Sequence, residues 1–190
     1  MKFTDLELPG IFTIEPKVFG DARGYFSETF RLDLLEQKLG HSISFVQDNE
    51  SFSQRGVLRG LHYQAPPFAQ TKLVRVLQGR VLDVAVDLRQ NSPTFGQSVG
   101  VELSGENKKQ LFIPQGFAHG FVVLSQQARF SYKVDNYYAP NHDKGLAWDD
   151  PDLCIDWQLP VDDIQLSQKD TQHPRLRDIQ TEFDQNWPVL

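Results

Sequence analysis

Short apolar runs of strand length, separated by turn residues, constrain this fold more than any other feature of the sequence. The runs lie at residues 72–77, 82–88, 99–103, 110–113, 121–124 and 128–134. Gly, Pro and Asn stand between them, which is typical of all-β sandwiches and barrels. Gly79 predicts a tight turn that pairs the first two runs as a hairpin. A further strand is predicted at residues 11–19.

The rest of the chain adds little regular structure. Leu32, Leu35 and Leu39 follow helical spacing, and Gly40 is a typical helix stop. After residue 151 the pattern is irregular, with at most a short helix near the C-terminus. The 190 residues therefore predict one domain, residues 1–190, with few short helices.

Charge and cysteine content narrow the class of function. The formal net charge of −6 argues against general binding to nucleic acid or to an anionic membrane. No apolar stretch has the length of a signal peptide or a membrane span. Cys154 is the one cysteine, so no intrachain disulfide can form, which suits a reducing cytosol. Its apolar neighbours Leu153 and Ile155 predict that Cys154 is a small buried hydrophobic residue.

Residues 57–64 contain an unusual pair of polar side chains. The segment has the apolar frame of a buried strand, yet it includes Arg59 and His62. Burying a charge without a partner is costly, so such residues indicate a cavity that binds a ligand. The ligand would offer an anionic group to Arg59 and a group that gives up a proton to His62. Gly56 and Gly60 leave room for a bulge or a close backbone approach. A satisfied core histidine beside a rim arginine explains the pair equally well.

Part of a cupin metal motif is present, but the ligand set is broken. Pro114-x-Gly116-x-x-His119 matches the later cupin motif, whereas the second histidine of the earlier motif is absent after His62. Lys72 stands near the position where a glutamate ligand would be sought, and its charge opposes metal binding. The sequence thus predicts a cupin-type jelly-roll cavity without metal. Without a Rossmann or P-loop motif, no nicotinamide or nucleotide cofactor is expected.

The remaining polar residues suit proton transfer beside a carbonyl group. His62 could act as a base if a carboxylate fixed its tautomer. Lys72 is a candidate to stabilise an enolate oxygen, and Tyr132 is a candidate acid. Strand tyrosines are more often structural, and Asp170 taken alone reads as a loop or helix-cap carboxylate.

These segments together resemble the dTDP-4-dehydrorhamnose 3,5-epimerase family, metal-free cupins of deoxysugar nucleotide biosynthesis. The resemblance extends from residue 19 to residue 170 in one order, and the matching segments are 19–28, 45–49, 58–64, 72–76, 113–121, 145–151 and 166–170. It implies that His62 is the general base paired with Asp170, that Lys72 stabilises the enolate, and that Tyr132 is the general acid.

The same resemblance implies a set of substrate-binding residues and a homodimer. Arg59 and Lys169 would neutralise the pyrophosphate, and the other residues implied to bind substrate are Arg23, Phe26, Glu28, Gln47, Asn49 and His119. In the family, Arg23, Phe26 and Glu28 would reach the nucleotide from the partner subunit. Asp143 stands where the family usually has glutamate, one methylene longer, which puts its direct contact with ligand in question.

The implied reaction inverts carbons 3 and 5 of dTDP-4-dehydro-6-deoxy-D-glucose, giving dTDP-4-dehydro-L-rhamnose without a cofactor. An enzyme of the same fold that inverts one carbon is the first alternative. A non-catalytic cupin that binds a nucleotide sugar is the second. His62, Asp170 and Tyr132 occurring together argue against a pure binder, which needs neither an acid nor a base.

Overall fold

The computed structural model describes residues 1–184 and 187, so the predicted domain's residues 185, 186 and 188–190 lie outside the described residues. Most of the regular structure is antiparallel strand. The strands are β1 (Lys2–Asp5), β2 (Phe12–Glu15), β3 (Val18–Asp21), β4 (Gly24–Ser27), β5 (Gln47–Gln54), β6 (Leu58–Gln64), β7 (Lys72–Gln78), β8 (Arg80–Asp87), β9 (Ser98–Ser104), β10 (Gln110–Ile113), β11 (Phe117–Val123), β12 (Gln127–Val134) and β13 (Asp143–Gly145).

Two sheets form the body of the fold. One has six strands in the order β1-β2-β10-β7-β12-β5, and the other has five in the order β13-β6-β11-β8-β9. The separate hairpin β3-β4 makes a small third sheet. Within the described residues, the one α-helix is α1 (Leu32–Leu39), which ends at Gly40 in the left-handed conformation, as predicted. The predicted all-β, cupin-type jelly roll with few short helices is confirmed.

Two predicted strand features are wrong in detail. The runs before and after Gly79 do not pair as a hairpin, because β7 belongs to the six-stranded sheet and β8 to the five-stranded sheet. The turn at Gly79 therefore carries the chain from one sheet to the other. The strand predicted at 11–19 is two strands, because the segment at Pro16, which has no N–H to donate, separates β2 from β3.

Each sheet is covered on both faces. Between the sheets, Val74 and Phe130 from one sheet pack with Ala85 and Val123 from the other. The helix covers the outer face of the six-stranded sheet through Leu35. The C-terminal segment covers the outer face of the five-stranded sheet, with buried side chains at Leu146, Leu153, Trp157 and Phe183. Burial of apolar area on all of these faces is the main stabilising term of the fold.

The segment after β13 is irregular, as predicted, with one-turn 3₁₀ segments at Val161–Asp163, Asp170–Gln172 and Leu176–Asp178. Cys154 was predicted to be buried, and this prediction is wrong. Its backbone adopts a left-handed conformation with φ of 49°, and the side chain is exposed while Leu153 packs inward. None of the described helices is long and apolar enough to cross a membrane.

Candidate functional site

His62, on β6 of the five-stranded sheet, meets Asp170 of the C-terminal segment. The Nε2 atom of His62 lies 2.5 Å from Oδ1 of Asp170. Main-chain hydrogen bonds of 2.9 Å join Gln165 to Gly56 and Leu58, and so hold the C-terminal segment against the start of β6. The 3₁₀ turn that follows directs Asp170 toward the histidine.

A local irregularity in β6 accompanies the position of His62. The ladder between β6 and β11 shifts register beside Gly60, between the pairs formed by His119 and Phe121. Gly60 has φ of 125°, and a Cβ atom there would lie 2.6 Å from the Cα of Gly120. The close backbone approach predicted at Gly60 is present, and a larger residue would force the two strands apart.

The Asp170 carboxylate stays ionised although it is 4% exposed. Burial alone would raise its pKa, but the nearby imidazoles of His173 and His62, the charge of His62 and the Ser167 hydroxyl together hold the pKa of Asp170 well below its ordinary value. The Ser167 hydroxyl donates to Oδ2 at 2.8 Å. An ionised carboxylate here orients the His62 ring and stabilises its protonated form.

The pair opens onto a cavity of about 360 Å³ between the two sheets. Eight of its lining residues are predicted site residues: Asn49, Arg59, His62, Lys72, His119, Tyr132, Lys169 and Asp170. Phe121 and Phe130, stacked with ring centroids 4.1 Å apart, form an apolar wall. This mixture of apolar walls and a few converging polar groups is typical of small-molecule sites.

Lys72 enters the cavity from the first residue of β7 and is 8% exposed. Its Nζ donates to the main-chain oxygen of His62 at 3.3 Å. Burial lowers the pKa of Lys72 to about 8, although the carboxylates of Asp143 and Asp83 work in the opposite direction. Lys72 is therefore a cation near neutral pH, close to His62, and can lose its proton at moderately alkaline pH.

Tyr132 enters the same cavity from β12 of the six-stranded sheet, whereas His62 enters from the five-stranded sheet. No hydrogen bond joins its hydroxyl to another described residue, so the group is available to a ligand. Burial raises the pKa of Tyr132, an effect that the charge of Arg59 partly offsets. The hydroxyl therefore keeps its proton at neutral pH, as a general acid must.

His119 lies directly beside His62, because the two residues pair across β11 and β6. Its Nε2 atom is 2.9 Å from a carboxylate oxygen of the fully buried Asp83. Burial lowers the pKa of His119. The pKa of Asp83 is raised, because the effect of burial exceeds the opposing effect of His119. His119 is therefore a neutral imidazole that donates to Asp83 and lines the cavity.

The residues expected to meet the nucleotide and its phosphates form the rim. Arg59 Nε donates to Ser53 Oγ at 3.1 Å. The other N–H groups of the guanidinium remain available to bind a ligand. Asn49 lines the cavity and accepts a 2.8 Å hydrogen bond from Gln47, which does not line it. The Ser51 hydroxyl also lines the cavity, buried and without a partner among the described residues.

Asp143 lies just outside this cavity. Its carboxylate accepts hydrogen bonds from Lys169 Nζ at 2.5 Å and from the Tyr138 hydroxyl at 2.9 Å. It lines a wider groove of about 870 Å³ on the other side of Lys169. That groove contains neither His62 nor Tyr132, so the smaller cavity is the candidate active site.

Arg23, Phe26 and Glu28 do not join the other predicted residues within this chain. Arg23 and Phe26 lie on the exposed hairpin β3-β4 and line a separate surface depression. Glu28 follows the hairpin, 3.6 Å from the guanidinium of Arg31.

His62, Asp170 and a third residue, His173, could in principle hold a metal ion, since their donor atoms lie within 4.8 Å of one another. The distances between these donor atoms do not fit a bound metal ion. A zinc ion binds such donors at about 2.0–2.2 Å and holds neighbouring donors about 3 Å or more apart, whereas His62 Nε2 and Asp170 Oδ1 are 2.5 Å apart. The separation is that of a hydrogen bond.

Residues 5–178 match the family described as dTDP-4-dehydrorhamnose 3,5-epimerase. The match includes every residue of the cavity described above. The chain belongs to the dTDP-4-dehydrorhamnose 3,5-epimerase family. Among curated members, the chain is 56% identical over 178 residues to the epimerase of Pseudomonas aeruginosa, covering 94% of this chain and 97% of the relative.

Solved structures of epimerases in complex with nucleotide sugars have the same fold. The dTDP-6-deoxy-D-glucose-3,5-epimerase from Legionella pneumophila, in complex with dTDP-4-keto-L-rhamnose, superimposes with a TM-score of 0.90 at 52% identity, covering 94% of each chain. ChmJ, a 3'-monoepimerase from Streptomyces bikiniensis in complex with dTDP-quinovose, superimposes with a TM-score of 0.85 at 35% identity, covering 90% of this chain and 86% of that one.

Sequence reasoning missed three polar residues of this epimerase site. Asp83 interrupts an apolar strand run, which was a usable signal, but its partner His119 was predicted only to line the pocket. Ser167 and His173 lie three residues on either side of Asp170, and their contacts with its carboxylate depend on the 3₁₀ turn. Ser167 lies in the matching segment 166–170 but was given no role, and no pattern in the sequence marked His173.

Proposed function

We propose that this protein inverts carbons 3 and 5 of dTDP-4-dehydro-6-deoxy-D-glucose and produces dTDP-4-dehydro-L-rhamnose. Family membership supports the reaction, and one observation carries its assignment to this cavity. That observation is the 2.5 Å contact of His62 with an ionised, buried Asp170 at a cavity that also holds Lys72 and Tyr132.

The proposed chemistry begins with proton removal beside the 4-keto group. The ketone acidifies the C–H bonds at carbons 3 and 5, and His62 takes the proton through the ring nitrogen that does not face Asp170. The electron pair of the C–H bond forms the enolate, whose oxygen gains negative charge. The Lys72 ammonium stabilises that oxygen, and Asp170 stabilises the imidazolium.

Inversion requires that a proton return to the opposite face of the carbon. Tyr132 enters the cavity from the opposite sheet to His62 and keeps its hydroxyl proton at neutral pH. In our proposal Tyr132 protonates the enolate carbon, the resulting phenolate recovers a proton from solvent, and the His62 imidazolium releases its proton to solvent. Each carbon then undergoes one deprotonation and one reprotonation, with no net redox change.

The rim of the cavity supports binding of an anionic nucleotide sugar. In our proposal Arg59 and Lys169 neutralise the pyrophosphate, and Asn49, which Gln47 holds by a hydrogen bond, contacts the nucleotide. His119 lines the sugar end, neutral and fixed by Asp83. We propose that Asp143 acts indirectly. Its carboxylate accepts hydrogen bonds from Lys169 and Tyr138 and does not line the cavity.

We further propose that the enzyme is a homodimer in which the hairpin β3-β4 completes the partner's site. Three aromatic side chains of the hairpin are unusually open, with Phe19 50%, Tyr25 62% and Phe26 66% exposed. Apolar exposure of this size is typical of an interaction surface. Arg23, Phe26 and Glu28 would then contact the nucleotide held by the other subunit.

We propose that the reaction needs neither metal nor cofactor and takes place in the cytoplasm. Lys72 lies in the wall of the cavity, and a fixed cation there opposes a second cation. Prolonged chelation should therefore leave turnover unchanged, and recovery of lost activity by a divalent metal would contradict the proposal. The chain has a single cysteine, as is usual for proteins of a reducing compartment.

Product analysis tests the proposed reaction directly. The purified protein is incubated with dTDP-4-dehydro-6-deoxy-D-glucose, and NMR coupling constants report the configuration at carbons 3 and 5. Inversion at both carbons is expected. Inversion at one carbon would identify a mono-epimerase like ChmJ, and unchanged substrate that nevertheless binds would identify a non-catalytic nucleotide-sugar protein.

A further inference from the structure

A second histidine contacts the carboxylate of Asp170. The Nε2 atom of His173 lies 3.4 Å from Oδ1, the same oxygen that His62 contacts at 2.5 Å. Nε2 of His173 is buried and makes no hydrogen bond of ordinary geometry with a described residue, so the 3.4 Å approach to Asp170 is an electrostatic contact.

The position of His173 is fixed by packing. Gly145 pairs with His62 across β13 and β6, and a Cβ atom on Gly145 would lie 2.5 Å from Nε2 of His173. The His173 ring thus fills the space that a side chain at Gly145 would occupy. It meets the His62 ring edge to face, with centroids 5.5 Å apart and an angle of 78° between the planes.

Asp170 needs such support because of where it lies in the chain. It begins a one-turn 3₁₀ segment, and the three residues before it, 167–169, are exposed. The Asp170 N–H also donates to Ser167 Oγ at 3.2 Å, so this short turn positions the carboxylate together with its side-chain neighbours. Ser167 donates to Oδ2, and the two histidines lie against Oδ1, so three side chains surround the group.

We infer that His173 is a positioning residue for the reaction: it holds the Asp170 carboxylate in the orientation that faces His62. The inference rests on the proposed role of His62 as the base. His173 does not line the cavity of about 360 Å³, so it acts on turnover through Asp170 and not by touching the sugar. Loss of its N–H frees the carboxylate to rotate away from the base.

Two variants that both fill the space of the ring test this inference. His173→Gln keeps an N–H that can reach Asp170, whereas His173→Leu has none. We expect His173→Leu to lower kcat about 10-fold, by analogy with the smaller losses seen when residues that orient metal ligands are removed. KM should change less than 2-fold, and His173→Gln should restore most of the lost kcat. Gln172→Ala, an exposed neighbour on the same turn, is the matched control and should behave as wild type.

The outcomes separate a positioning role from a structural one. Thermal unfolding identifies folded variants, and His173→Ala replaces His173→Leu if the latter does not fold. A wild-type kcat in the folded variant that lacks the N–H would overturn the inference, and so would equal losses with glutamine and leucine. His62→Asn is assayed in parallel. Wild-type turnover there would refute the proposed base itself, whatever the His173 variants do.

Discussion

The side chains of His62 and Asp170 lie 2.5 Å apart although 108 positions separate them in the chain. Two features bring them together: the C-terminal segment that covers the five-stranded sheet, and the hydrogen bonds that Gln165 makes beside the start of β6. The proposed base and its carboxylate partner therefore meet only when residues far apart in sequence have folded onto one sheet.

Replacing Asp170 with Asn should lower turnover on the order of 10²-fold. The amide keeps the size of the side chain but cannot stabilise the imidazolium that forms when His62 takes a proton. Substrate binding should change little, since the charge contacts of Arg59 and Lys169 remain. Steady-state kinetics measure both quantities, and unchanged kcat in the folded variant would remove Asp170 from the mechanism.

The variant Tyr132→Phe should keep the fold and most of the substrate affinity and lose turnover. The hydroxyl makes no hydrogen bond with a described residue, so we expect the free energy of unfolding to change by less than about 1 kcal/mol. Loss of a positioned acid costs about 10²–10⁴-fold in rate. Chemical denaturation and initial rates, measured on the same preparation, check the two expectations. Product formation near the wild-type rate would exclude Tyr132 as the acid.

The rate should fall on the alkaline side of neutrality because of Lys72. Burial lowers its pKa to about 8, so the ammonium that stabilises the enolate is present below that pH and is lost above it. The profile of kcat/KM against pH, which reports the free enzyme, should decline with a midpoint near pH 8.

Lys72→Arg provides the control for this assignment, because arginine stays charged throughout the range. In that variant the alkaline decline should move to higher pH, whatever the height of the plateau. Burial raises the pKa of Tyr132, so the tyrosine is expected to titrate later than Lys72. A decline that stays near pH 8 in Lys72→Arg would assign it to another group.

Complementation tests the shared site of the proposed homodimer. Glu28→Ala and His62→Ala chains should each be inactive alone, since each lacks one part of every site. After subunit exchange in an equal mixture, half of the dimers carry one intact site, so activity should recover to about a quarter of wild type. Light scattering gives the mass, and native mass spectrometry confirms exchange. Confirmed exchange without recovery would place Glu28 outside the partner's site.

The sequence predicted the cavity residues better than it predicted their connections. Residues such as His62, Lys72 and Tyr132 lie on strands whose alternation sets which side chains face inward, and that pattern is local. Whether β7 and β8 pair is not local, because Gly79 permits a tight turn in either arrangement and the neighbours β10, β12, β9 and β11 decide it. The hairpin prediction failed for that reason.

The C-terminal segment was the least predictable part of the site. Cys154 has apolar neighbours on both sides, yet a left-handed backbone there turns its side chain to solvent. His173 reaches Asp170 because a 3₁₀ turn separates them, and an irregular segment carries no periodicity from which such a turn could be inferred. Its contact with the carboxylate is visible only in three dimensions.

Isotope exchange in D₂O tests the central claim, that His62 removes the protons beside the 4-keto group. Wild-type enzyme should give a product with solvent deuterium at both carbon 3 and carbon 5, because each carbon is reprotonated from groups that exchange with water. His62→Asn should abolish incorporation at both carbons while the protein stays folded. Deuterium entering at the wild-type rate in His62→Asn, followed by NMR, would contradict the account.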